Sequence, residues 1–154
     1  RVWLIKMPTF NTYSDLQRNT NLMIKTALNN TIDRIFDKLQ DFISKEVYSN
    51  NQTWYTRTWE VRDKWDKIKA EIKGNFIEGE IYFTDNISHS GNPLWQHGMS
   101  EIDGDTLLKV LIGDYNTGNV ANFNNPNPRD FWNPFIKWVD QNFDSIFKEE
   151  LNKL

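Results

Sequence analysis

The chain reads as an α+β protein, with a long N-terminal amphipathic helix and a C-terminal helix packed on a small antiparallel sheet and with two long loops. Three observations carry that expectation. Apolar residues recur at three-and-four spacing from Ile24 through Leu28, Ile32, Ile35, Phe36, Leu39, Phe42 and Ile43 to Val47. The same spacing returns at Phe135, Ile136, Val139, Phe143, Ile146, Phe147, Leu151 and Leu154. Between them Ile68, Ala70 and Ile72 alternate with Lys67, Lys69, Glu71 and Lys73, and Phe76, Ile77, Ile81 and Phe83 follow beyond Gly74-Asn75.

The first helix is expected to start at Ser14-Asp15-Leu16-Gln17, which has the form of a capping box. It should run for about eight or nine turns at 3.6 residues each. Asp33, Arg34, Asp37, Lys38, Asp41 and Lys45 fall mostly outside its apolar stripe. Asn19-Thr20-Asn21 and Asn29-Asn30-Thr31 are poor helix formers, so a kink or late start is expected there. Turn-tolerant residues at Tyr48-Ser49-Asn50-Asn51-Gln52 end it.

The β-branched and aromatic run from Thr53 to Trp59 reads as extended, followed by a short turn of helix around Glu60 to Lys64. The alternating stretch that follows is an antiparallel hairpin with one face on the helices and one wet. Residues 84 to 102 and 113 to 127, punctuated by Gly, Pro and Asn, are the two loops, and loops of that length are usually functional or mobile. Residues 103 to 112 suit either a short helix or a third strand. The final helix should be capped by Asn133 and opened by Pro134, behind a connector stiffened by Pro126 and Pro128.

With 154 residues, 38% hydrophobic and 14% aromatic, the chain suits one domain that buries roughly two thirds of its unfolded surface. Zero cysteines exclude a disulfide scaffold, thiolate metal sites and cysteine catalysis. A net charge of −3, with no long Lys/Arg run, disfavours sequence-specific nucleic-acid binding. The apolar start, residues 1 to 6, is too short to span a bilayer, and Met7-Pro8-Thr9-Phe10 reads as a plausible start. Seven tryptophans are expected mainly as half-buried packing residues, with an interface role for a minority.

Little of the sequence resembles catalytic machinery. There is no Gly-rich phosphate loop and no nucleophile elbow. His89 and His97 lie near Asp85, Glu101, Asp103 and Asp105, but the separation of the two histidines by eight positions matches no tight metal-ligand spacing. Carboxylate pairs such as Asp103 with Asp105, or Glu149 with Glu150, are expected as turn residues and as a solvated helix face. The alternative is a small metal-dependent or carbohydrate-active hydrolase using His97 with Asp103 or Asp105, with Trp54, Trp59 and Trp95 available to stack on sugar. Trp95, His97, Tyr115, Phe123 and Trp132 are also candidate contacts with neighbouring subunits or partners, because aromatic residues are enriched in interface cores.

The stretch Pro128-Arg129-Asp130-Phe131-Trp132-Asn133-Pro134-Phe135, leading into a terminal amphipathic helix, resembles the Pro-Arg-x-Phe-x-x-Pro ending of the tailed-bacteriophage neck or tail-completion proteins, also called head–tail joining or minor capsid proteins. Tyr55-Thr56-Arg57-Thr58 is similar to the Tyr-x-Arg-Thr motif that follows the long first helix of that family. The order of elements is similar over about residues 8 to 154. The chain departs from the family at Trp59, where glycine is common, and at Lys64, where serine is expected. The resemblance implies a structural virion protein without catalysis, cofactor or metal. It implies a homo-oligomeric ring between the head connector or head-completion proteins and the tail or tail terminator. The subunit would be assembled in the host cytoplasm, and genome DNA would pass without specific binding. Tyr55, Arg57, Thr58, Pro128, Arg129, Phe131 and Pro134 would be its structural motif residues, with the two arginines pinning backbone or carboxylates.

Overall fold

A computed structural model of the chain describes residues 12–48, 60–84 and 130–154. In chain order these form α1 (Tyr13–Tyr48), α2 (Glu60–Asp63), strands β1 (Trp65–Lys73) and β2 (Phe76–Phe83), and α3 (Trp132–Leu151). This is the expected α+β arrangement of two long helices and a two-stranded antiparallel sheet. The segments expected as an extended run before Glu60, as long loops, and as a helix or strand over 103 to 112 lie outside the described residues.

α1 is one continuous helix of 36 residues that begins at Tyr13, without the late start that its Asn and Thr residues suggested. At 1.5 Å per residue it spans about 54 Å. Its cap lies two residues earlier than the sequence pattern placed it. Thr12 Oγ1 accepts from the Asp15 backbone N–H at 3.1 Å and donates to the Asp15 carboxylate at 2.8 Å. Thr12-x-x-Asp15 and Ser14-x-x-Gln17 overlap, and the upstream pair caps the chain, leaving Ser14 inside the first turn.

α1 is the spine. Its buried positions Ala27, Thr31, Ile32, Ile35, Leu39, Ile43 and Val47 face two partners. α3 runs antiparallel along one side: Phe42 meets Phe135 near the start of α3 at 6.0 Å, while Arg34 meets Glu149 and Glu150 at its end. The hairpin lies along another side, where Lys67 pairs with Asp33 and sits 4.8 Å over the Phe36 ring. The core thus joins Ile35, Leu39, Ile43, Val47, Val61, Trp65, Phe131 and Phe135 from every described helix and from β1.

The hairpin departs from simple alternation. Ile68, Ala70 and Ile72 were expected on one face, yet Ala70 is fully buried while Ile68 and Ile72 are nearly half exposed. The ladder pairs Ile68 with Glu80 and Glu71 with Glu78, so Lys69 and Ala70 together oppose Gly79. That extra residue is a β-bulge, which reverses the facing of everything beyond it. Asn29 of α1 completes the bulge by accepting from the Ala70 N–H at 2.6 Å. Gly79 is required by close approach, because a Cβ there would lie 2.3 Å from Ile32 Cδ1 and 3.1 Å from the Ile68 carbonyl oxygen. The turn at Gly74-Asn75 needs the other special glycine, whose φ of 63° lies in the left-handed region.

Candidate functional site

The most built constellation among the described residues is the aromatic junction where the chain enters α3. Asn133 was expected as its N-cap and Pro134 as its first helical residue. The helix instead begins at Trp132, and the cap position belongs to Phe131, whose φ of −89° and ψ of −21° are already helical. Asp130 supplies the capping oxygen. Its Oδ1 accepts from the Asn133 backbone N–H at 3.0 Å, and its Oδ2 accepts from the Asn133 side-chain amide at 2.7 Å. Pro134 then falls in the first turn, where backbone N–H groups have no intrahelical partner, so its missing donor costs nothing there. Its own side chain is exposed.

This geometry turns Phe131 inward. Its ring is completely buried and stands perpendicular to the Trp65 indole, with centroids 6.3 Å apart. Trp132 stacks nearly parallel on the same indole at 5.4 Å, and Phe83 meets it edge-on at 5.1 Å. Trp132 also lies 5.7 Å from Phe135. Trp65 is therefore the hub that ties the entrance of α3 to the base of the hairpin. That base is closed by Thr84, whose backbone N–H and hydroxyl both donate to the Lys64 carbonyl at 2.8 Å. The Trp65 Nε1–H is buried without an acceptor among the described residues.

A second constellation fixes the far end of α3. Glu149 and Glu150 were expected together on a solvated face; Glu149 is exposed, but Glu150 is almost fully buried. Arg34 Nη1 reaches both carboxylates at 2.8 Å, and Lys153 Nζ reaches Glu150 at 2.7 Å. The hydrogen bond from Arg34 holds the Glu149 carboxyl below its ordinary value. The bond from Lys153, then that from Arg34, does the same for Glu150 against the opposing effect of burial. The two cations are raised in turn, Arg34 chiefly by Glu149 and Lys153 chiefly by Glu150. The signal for Glu150 was present in the sequence, since it follows Ile146 by four residues on the same helical line.

Of the residues singled out by the sequence, Phe131, Trp132 and Pro134 are described; Trp132 is half-buried against Trp65. Tyr55, Arg57, Thr58, Trp95, His97, Asp103, Asp105, Tyr115, Phe123, Pro128 and Arg129 lie outside the described residues. Sequence reasoning did not single out Trp65, Asn29, Gly79 or Arg34 for these roles. A lone glycine inside a strand was the available signal for the bulge. Among the described residues no group of three or more His, Asp or Glu side chains is arranged to hold a metal ion. No described helix is long and apolar enough to cross a membrane. No family model, curated protein or solved structure matches the chain.

Proposed function

We propose that the chain is a structural subunit of a tailed-phage neck, a ring-forming tail-completion protein that joins the head connector to the tail and lines the DNA passage. The observation that best supports this reading is the burial of Phe131 against Trp65. The Phe of the Pro-Arg-x-Phe-x-x-Pro stretch anchors the last helix to the hairpin, the structural part that the resemblance gives it. A net charge of −3 accords with a passage that does not grip the genome, because tight binding to DNA needs many Lys and Arg contacts to phosphate.

On this reading the subunit performs no chemistry, and replacing His97, Asp103 and Asp105 together by Ala leaves assembly of virions nearly intact. The test is a complementation assay scored for joined heads and tails, run beside a hydrolase screen of the purified protein. A hydrolytic activity that the triple substitution abolishes while joining proceeds unchanged contradicts the proposal.

A further inference from the structure

The first third of α1 projects past the end of α3. From Thr12 to Thr20 every residue is exposed, and the first fully buried position is Ala27. Intrinsic propensity does not favour a helix here. Asn19, Thr20 and Thr26 each turn a side-chain donor back onto the backbone carbonyl four residues earlier, a bond that competes with helix formation. An isolated helical stretch of about 14 residues is marginal in water, so this arm gains from being covered.

Between the arm and the hairpin end lies a groove of about 360 Å³ lined by Ser14, Gln17, Arg18, Asn21, Leu22 and Ile72. Leu22 is 47% exposed and Ile72 43% exposed, so the floor is apolar and open. Arg18 stands beside them with no carboxylate partner among the described residues, and Lys25, two turns further along the same side of α1, has none either. The groove thus offers an apolar floor with positive charge at its rim.

The other face of the hairpin end carries the complementary pattern. Phe76, at 61%, is among the most exposed large apolar side chains described. Glu78 follows it on the same face, and Glu71 lies directly opposite Glu78 across the ladder. Like charges directly opposed in a sheet are destabilising, and Lys73 offsets only part of this by pairing with Glu78. Glu71 has no cation within salt-bridge distance among the described residues. An aromatic ring beside Glu71, which makes no ion pair among the described residues, matches an apolar groove lined by Arg18, which makes none among them either.

We infer that this groove docks the hairpin end of a second copy of the chain, with Phe76 of one copy against Leu22 and Ile72 of the other and Glu71 of the first facing Arg18 of the second. This goes beyond the neck reading and does not depend on it. Opposite charges select the register, since the same contact with two like-charged faces would be repulsive.

Sedimentation velocity on the full chain over a concentration series tests it. Wild type should self-associate, while Arg18→Glu, Glu71→Arg and Phe76→Ser should each weaken association by about ten-fold or more. All three positions are exposed, and circular dichroism with thermal melts confirms that each variant is folded. Mixing the Arg18→Glu and Glu71→Arg chains should restore association, because every cross-contact then pairs opposite charges. A wild type that stays monomeric, single variants that associate as wild type does, or a mixture no tighter than its components overturns the inference.

Discussion

Phe131 shows how one side chain sets the entrance to a helix. Asp130 takes the cap, so the next residue turns inward and loses all its exposure against Trp65. Replacing Phe131 by Ala removes a fully buried ring and leaves a cavity, which should cost about 3 to 5 kcal/mol in chemical denaturation. An unchanged denaturation midpoint contradicts its anchoring role. Gly79 is the opposite case, a residue chosen for what it lacks. Gly79→Ala would drive a methyl into Ile32 Cδ1 and towards the backbone of Ile68 and Ala70, so it should destabilise by about 1 to 3 kcal/mol. Trimming the neighbour in the double variant Gly79→Ala with Ile32→Val should recover part of that loss, which thermal melts of the three proteins measure. Asn29 carries a third residue-scale expectation: its Oδ1 satisfies the Ala70 N–H freed by the bulge, and Asn29→Ala strands that donor at about 1 to 3 kcal/mol.

At the scale of elements, both long helices were legible because their apolar spacing persists over several turns, and a pattern that long overrides weak local propensity at Asn19 to Asn21 or Asn29 to Thr31. Their first residues were less legible. Two overlapping Ser/Thr-x-x-acid/amide registers compete at the start of α1, and Asp130 competes with Asn133 at the start of α3. The hairpin and its Gly-Asn turn were legible from alternation, but the bulge was not. One extra residue on β1 shows itself only once the partner strand is in register, so the shared facing of Ile68, Ala70 and Ile72 failed. The charged clamp between α1 and α3 was missed because adjacent glutamates look equivalent in sequence, while a turn of 100° per residue places only Glu150 in line with Ile146.

That clamp makes an element-scale prediction about pH. Glu149 and Glu150 both have carboxyl values lowered in the folded chain from an ordinary 4.5. Their contribution to stability is therefore present above the unfolded carboxyl value and is lost as pH falls through the lower folded values. Urea denaturation of wild type and of the Glu149→Gln, Glu150→Gln double variant should differ most near neutral pH. The difference should shrink steadily below about pH 4.5. A difference that grows on acidification contradicts the clamp.

For the molecule, α1 is the spine on which the other described elements are hung, with α3 on one side, the hairpin on another, and Trp65, Phe131 and Trp132 binding the two together. The sequence placed the last helix on the sheet; Phe131 and Trp132 at its entrance do meet Trp65 at the hairpin base, but most of α3 lies along α1. Of the candidate site, Phe131 had been singled out in the sequence only as a motif residue, and its hub, Trp65, was one tryptophan among seven with no local feature to single it out. The proposed neck role rests on this frame acting as a rigid subunit that presents its arm, hairpin end and remaining surface to neighbours.

Native mass spectrometry of the purified full chain, alone and mixed with the head-connector and tail proteins that the proposed neck role calls for, tests that role. The proposed neck role predicts a closed homo-oligomer or a defined complex that bridges connector and tail. A chain that remains monomeric in every mixture and joins neither component contradicts it.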